Sequence, residues 1–232
     1  MKINKINYRL TFADGAERQF ELHLRADSLV PVGWVPSKPP QWAALQNHQC
    51  KNCPLNSDKS PYCPAALNLA KLAEQSRDLD MLDSVTLKVL MSGRVVALST
   101  TVQKAIGSFI GLLLATSDCP HAAFFRPLAR FHMPLASEAE TMYRAASSYL
   151  LAQTFRQESG QEARFDLEGV VEIYQNLEIV NTALVSRLKA SGEGELLAQC
   201  MMEWGMLSGM FPLRLDGLLK ELRPLFSAYL PD

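Results

Sequence analysis

Two stretches of the chain alternate apolar and polar residues, which is the pattern of a half-buried β-strand. Residues 3–25 contain two such runs, separated by the hairpin-type turn Asp14-Gly15. Two further runs lie on either side of Ser92-Gly93. We predict two β-hairpins that pair in one antiparallel sheet, with one face buried and the other in water. The alternating apolar residues are Ile6, Tyr8, Leu10, Phe12, Phe20, Leu22 and Leu24 in the first hairpin and Val85, Leu87, Val89 and Met91 in the second.

From about Val102 onward, apolar residues recur at helical spacing instead. A helix over 64–75 precedes this region and begins at Pro64, which makes Cys63 its N-cap. Ser137 and Glu140 form a capping-box sequence. The predicted later helices are 102–117, a short piece within 120–133 kinked at Pro127, Ser137 to about Ser159, Asp166 to about Ser191, 195–210 and 213–229, the last two split by Phe211-Pro212.

Strands followed by helices favour an α+β fold over an alternating α/β fold. We expect a small antiparallel sheet of two hairpins with a cysteine-rich knuckle, packed on a C-terminal helical body. The segments 1–101 and 102–232 then form one continuous globular unit. Residues 26–49 contain four prolines, so we predict an irregular loop there. Its Trp34 and Trp42 are interpreted as packing anchors, with a peptide-binding surface as the alternative.

Composition and charge argue against non-specific nucleic-acid binding and against membrane insertion. The 232 residues are 48% hydrophobic and carry a net charge of −1, so there is no basic surplus for non-specific nucleic-acid binding. No apolar run approaches the roughly 20 residues that span a bilayer. We find no signal-peptide pattern at the N-terminus. We therefore expect a cytoplasmic protein that does not enter membranes, in a compartment that keeps cysteines reduced.

Cysteines carry the strongest chemical signal in the sequence. Cys50 and Cys53 form a C-x2-C pair, Cys63 follows after a polar loop, and Cys119 lies in the sequence D-C-P-H. In a reducing compartment such clusters are more often metal ligands than disulfides. A thiolate at a helix N-terminus is also stabilised by free N–H groups, which applies to cysteines that precede a proline-initiated helix. We predict that these four bind one metal, while Cys200, in an apolar stretch, is a buried space-filling residue.

The metal is predicted to be structural zinc, with a [4Fe–4S] cluster as the alternative, because four thiolates suit either. His121 or His48 is a candidate to replace one sulfur. The Cys-Pro dipeptides resemble ferredoxin-type ligation, but the nine-residue gap between Cys53 and Cys63 is wider than in a ferredoxin run.

A second candidate site follows Cys119. Arg126 and Arg130 are four residues apart, so they share a face on a helix, and His132 is near in sequence. Together they are predicted to lie near the cysteines and to offer an anion-binding site. The alternative is structural: the guanidinium groups bond neighbouring carboxylates or carbonyls and their stems cover the core.

No catalytic signature is present: the sequence contains no G-x-S-x-G, P-loop, G-x-G-x-x-G or H-E-x-x-H motif. We therefore predict a non-enzymatic, metal-binding scaffold or adaptor that acts through protein–protein contacts, with an iron–sulfur redox or regulatory sensor as the alternative. A protein partner is expected, and self-association is compatible with the sequence. The methionine-rich helix over 195–210, with Met201, Met202, Met206 and Met210, is a candidate contact surface.

Overall fold

The computed structural model describes residues 2–230, with the side chains of 204 and 206–208 left out. Its four strands are β1 (Ile3–Phe12), β2 (Glu17–Arg25), β3 (Ser84–Met91) and β4 (Arg94–Thr101). They form one antiparallel sheet in the order β2-β1-β3-β4. The prediction that both hairpins pair in a single sheet is confirmed.

The two hairpin turns contain glycines with positive φ, Gly15 at 85° and Gly93 at 81°. Residues with a side chain rarely adopt this conformation, so glycine at these positions allows the tight reversal. The alternation that predicted the strands is seen directly in β3, where Val85, Leu87 and Val89 are buried and the residues between them are exposed.

The buried face of the sheet packs on an apolar helix. Helices α1 (Pro64–Gln75) and α2 (Val102–Ala115) follow the first and second hairpins. The ring of Phe109 in α2 lies 4.9 Å from Tyr8, 5.8 Å from Phe20 and 5.5 Å from Trp34, measured between ring centroids. Edge-to-face packing of this kind adds to the burial energy of the aromatic rings.

The described residues after α2 are mostly helical. The helices are α3 (Arg126–Arg130), α4 (Glu138–Glu158), α5 (Glu168–Ser191) and α6 (Glu195–Leu222), and 3-10 turns lie at Gln41–Ala43, Ala123–Phe125 and Arg223–Tyr229. The predicted capping box is present: the Ser137 hydroxyl accepts the Glu140 N–H while the Glu140 carboxylate accepts the Ser137 N–H. The Asp166 carboxylate accepts the Glu168 N–H at the start of α5. An α+β fold with a C-terminal helical body is therefore present.

Two apolar clusters are found in the described part of the chain. The first combines the sheet, α1, α2 and the inner faces of α5 and α6, so it draws residues from both predicted segments. The second lies among α4, α5 and α6 and includes Met142, Tyr174, Phe211 and Leu215. Phe125, in the 3-10 turn before α3, packs against both clusters.

The predicted break at Phe211-Pro212 is wrong, because α6 runs through Pro212 without interruption. Proline inside a helix removes one hydrogen bond and usually breaks or kinks the helix. Here the segment around it is held by packing: Phe211 is 1% exposed and stacks on Tyr174 of α5 at 3.8 Å. Leu215 and Leu218 continue the buried face beyond the proline, so burial offsets the lost hydrogen bond.

Other side-chain predictions had mixed outcomes. Trp34 and Trp42 are both buried, and the Trp34 indole N–H donates to the Asn68 carbonyl at 2.7 Å, which confirms the packing interpretation. Of the methionine-rich stretch, Met201 is buried and both Met202 and Met210 are exposed. The Met206 side chain lies outside the described residues.

Candidate functional site

The cysteine-rich segment is a loop whose two ends are tied together. The Leu45 N–H donates to the Pro61 carbonyl at 2.9 Å, and the Cys63 N–H donates to the Ala43 carbonyl at 2.8 Å. Within the loop, the Cys53 N–H donates to the Cys50 carbonyl at 3.0 Å, which closes a tight turn. Cys63 is the N-cap of α1 but its side chain makes no capping hydrogen bond. Its thiol is therefore available for another interaction.

Cys119 reaches this loop from the far end of α2. The carbonyl of Cys119 accepts the N–H groups of Ala122 and Ala123, forming a turn. In that turn, His121 Nε2 contacts the Asn52 carbonyl at 2.7 Å. Asn52 lies between Cys50 and Cys53, so this contact seats the Cys119 turn on the C-x2-C turn.

The same contact limits what His121 can do as a metal ligand. A carbonyl oxygen can only accept, so His121 Nε2 must carry the proton and leaves Nδ1 as the nitrogen that can bind a metal. His48 is exposed and has a positive φ of 45°. Neither histidine is needed if all four sulfurs participate.

Burial, followed by the charges of Cys63, Cys119 and Cys53, raises the pKa of Cys50 to about 12. Burial also raises the pKa of Cys119, while the N–H groups of Ala122 and His121 act to lower it. In the metal-free cluster the protonated form is therefore favoured, at least for these two thiols.

The structure does not place the cysteines as a complete set of metal ligands. Among residues 2–230, no three or more His, Cys, Asp or Glu side chains are placed as ligands to a single ion. Cys200 stands apart on α6, where burial raises the pKa of its thiol to about 12 and the carboxylate of Glu203 adds to the effect.

A buried arginine lies beside the cluster. Arg187 of α5 is 1% exposed, and its guanidinium donates to the carbonyls of Trp42, Ala44 and Leu45 at the start of the cysteine loop. No carboxylate lies within ion-pair distance of it in the described part of the chain. The positive charge of Arg187 acts to lower the pKa of Cys50, but burial and the charges of the other cysteines have larger effects.

Sequence reasoning missed Arg187, although a signal was present. It lies between Leu184 and Leu188 on the apolar stripe of α5, where a charged residue is unusual. A buried cation whose partners are carbonyls alone is costly, unless a negative charge lies close by. The cysteine cluster is the group of potential anions that its charge reaches.

The predicted Arg126, Arg130 and His132 have separate partners. Arg126 pairs with the Asp118 carboxylate at 2.9 Å, and Arg130 is exposed with its guanidinium 6.0 Å from the Phe131 ring centroid. His132 Nε2 contacts the Tyr8 hydroxyl at 2.6 Å. Burial, followed by the charge of Arg144, lowers the pKa of His132 to about 4. The contacts of Arg126 match the structural alternative, whereas the Arg130 side chain has no hydrogen bond or ion pair among the described residues and matches neither interpretation. We do not carry a joint anion site forward.

The fold defines a class: an α+β protein in which a four-stranded antiparallel sheet carries a C-terminal helical body. Residues 6–227 match the family described as domain of unknown function (DUF6901), and the chain belongs to that family. No curated protein and no solved structure is significantly similar to the chain. Within residues 2–230, no helix is long and apolar enough to cross a membrane.

Proposed function

We propose that Cys50, Cys53, Cys63 and Cys119 bind one metal centre with a structural role in a non-enzymatic scaffold or adaptor protein of a reducing compartment such as the cytoplasm. One observation carries the proposal. The turn that contains Cys119 contacts the turn between Cys50 and Cys53 through His121 and Asn52, which supports a shared site for these cysteines. Arg187, buried and without an acidic partner among the described residues, bonds the start of the same loop and adds to this support.

A metal cation would resolve the electrostatics of this cluster. Four thiols packed together resist ionisation, because burial and mutual repulsion both disfavour the thiolates. A bound cation reverses this preference and takes up the thiolates as ligands. Four thiolates around a divalent ion leave a net charge of about −2, and Arg187 would partly neutralise it.

Zinc is the first candidate. Four thiolates around zinc close the coordination sphere and leave no open position for a substrate, which is typical of structural zinc. Such a site would join the loop before α1 to the end of α2 and hold a loop that is polar over residues 56–60. This supports a scaffold role rather than catalysis.

A [4Fe–4S] cluster, and with it a redox or regulatory sensor, is the second candidate. Four thiolates suit such a cluster as well as zinc.

Metal analysis of protein purified without oxygen separates the candidates. Zinc predicts about one equivalent of zinc and a colourless sample, whereas the cluster predicts about four equivalents of iron and absorbance near 400 nm. Cys63→Ser and Cys119→Ser should lose most of the metal and make residues 40–65 more sensitive to protease. Cys200→Ser is the matched control and should retain the metal. Protein that stays metal-free after reconstitution with zinc and with iron and sulfide would refute the proposal.

A protein partner is the second part of the proposal. Near the end of α6 and in the 3-10 turn after it, Leu213, Leu225 and Tyr229 are more than 70% exposed. Exposed apolar groups of this kind mark contact surfaces when they are clustered. Self-association is the simplest form of such a contact, and sedimentation velocity of the wild type against Leu213→Ser tests it. If the protein is a monomer at all concentrations, self-association is refuted and the partner would have to be a different protein.

A further inference from the structure

A cavity of about 530 Å³ lies where the two apolar clusters meet. One side is formed by α2, another by α3 and the loop before α4, and the far side by α5 and α6. Most of the lining is apolar, and it includes Leu112, Leu128, Met142, Tyr174 and Phe211. Cavities of 300–1,000 Å³ with apolar walls and a few polar groups are typical of small-molecule sites.

A glycine keeps the α2 side of the cavity open. Gly107 is buried in the middle of α2, and a Cβ added there would meet no atom within 4 Å. Gly111, one turn later, also lines the cavity. Glycine inside a helix costs about 0.5–1 kcal/mol relative to alanine. Since nothing blocks a side chain at Gly107, packing of the protein alone does not account for glycine at that position.

Arg144 is the partly buried cation of the lining, whereas Lys104 is exposed. The Nη2 of Arg144 donates to the carbonyls of Leu128 and Phe131, both at 2.8 Å. No carboxylate of the described chain lies within ion-pair distance of it. Glu140, one turn away, directs its carboxylate to the N–H and hydroxyl of Ser137.

The other charges of the lining do not neutralise Arg144. Glu138 is paired with Arg214 at 2.7 Å. Lys104 and Glu203 carry opposite charges and cancel in formal charge. The cavity therefore keeps one positive charge, on a guanidinium that can hold a carboxylate through two parallel hydrogen bonds.

An uncharged polar group lies on the same wall. His132 lines the cavity, and its Nε2 is engaged by the Tyr8 hydroxyl, which also contacts the Ser108 hydroxyl at 2.8 Å. Nδ1 is then the ring nitrogen that can meet a ligand. A neutral histidine beside an arginine offers a second hydrogen bond without a second charge.

We propose that this cavity binds an apolar monocarboxylic acid, with the carboxylate on Arg144 and the hydrocarbon part between α2 and the second apolar cluster. The volume suits a small molecule and the walls suit a hydrocarbon. The partly buried guanidinium of Arg144 and the net lining charge of +1 that remains once Glu138 is paired with Arg214 select one negative charge. This inference is independent of the metal centre, because none of the four cysteines lines the cavity.

Calorimetric titration with octanoate and with 1-octanol tests the charge. Octanoate should bind saturably at one site per chain. Arg144→Gln should weaken octanoate binding at least about tenfold, the loss expected for a hydrogen bond to a charged group, and should leave 1-octanol binding unchanged. Arg144→Lys keeps the charge and should retain part of the affinity. Arg130→Gln removes an exposed arginine from the neighbouring helix and should change nothing.

A second variant tests the cavity itself, and it keeps the proposal testable if Arg144→Gln fails to fold. Gly107→Leu would fill space that is open beside α2 and should weaken both octanoate and 1-octanol at least about tenfold, because either ligand needs that volume. Thermal melting should show that this variant is folded. Absence of saturable octanoate binding to the wild type, or unchanged octanoate binding to folded Gly107→Leu, overturns the proposal.

Discussion

Replacing Arg187 by methionine should be among the most damaging single changes in this protein. Methionine is close to arginine in length but removes the charge and every donor. The guanidinium now serves three carbonyls, those of Trp42, Ala44 and Leu45. After the substitution, the Leu45 carbonyl would lose the one donor found for it among the described residues. The Ala44 and Trp42 carbonyls would each keep a donor from Asn47, at 3.1 and 3.4 Å.

The magnitude follows from those three acceptors. The Leu45 carbonyl, left without a partner, costs about 1–3 kcal/mol, and the Trp42 and Ala44 carbonyls, which lose one of two donors, cost about 0.5–1.5 kcal/mol each. The total is roughly 2–6 kcal/mol, and removing a desolvated cation recovers part of it. We expect a net loss of about 2–4 kcal/mol in the free energy of unfolding, out of the roughly 5–15 kcal/mol typical of folded domains.

Urea denaturation at neutral pH measures the loss. Arg187→Lys keeps the charge but presents its donors from one point, so it should lose about 1–3 kcal/mol. Lys189→Met, an exposed residue on the same helix, is the matched control and should stay within about 0.5 kcal/mol of the wild type. A loss below about 1 kcal/mol for Arg187→Met would refute the reasoning, since it would show that the carbonyls find other partners.

Two further predictions concern pH and helix capping. Burial lowers the folded-state pKa of His132 to about 4, against 6.5 for an unperturbed histidine. Between these pH values the unfolded chain binds more protons than the folded protein. The free energy of unfolding should therefore fall as the pH drops from about 6.5 to 4. The contribution of His132 to the free energy of unfolding is up to about 3 kcal/mol. His132→Gln should flatten this part of the pH profile of stability, whereas His48→Gln, at an exposed residue, should not. Equal profiles for the wild type and both variants would contradict the assignment. Ser137→Ala removes the N-cap of α4 and should lower the free energy of unfolding by about 0.5–2 kcal/mol in urea titrations, whereas Ser159→Ala at the other end of α4 should have a smaller effect.

The local features of this fold were readable from the sequence because each depends on neighbouring residues. Alternating apolar residues and the Asp14-Gly15 turn predicted the first hairpin, and the same reasoning predicted the second. Proline after Cys63 predicted the start of α1 at Pro64, where the structure has it. The Ser137–Glu140 pair predicted the start of α4. In all these cases, the hydrogen bonds and side-chain contacts involved span only a few residues, so a short stretch contains the information.

What the tertiary structure decided depends on contacts between distant residues. Pro212 suggested a break, but packing of Phe211 on Tyr174 keeps α6 continuous. The turn that contains Cys119 contacts the turn between Cys50 and Cys53 through His121 and Asn52, which are 69 residues apart. Arg187 meets its three carbonyls across more than 140 residues. The cavity beside Gly107 exists because two apolar clusters meet without filling the space between them, which no local pattern specifies.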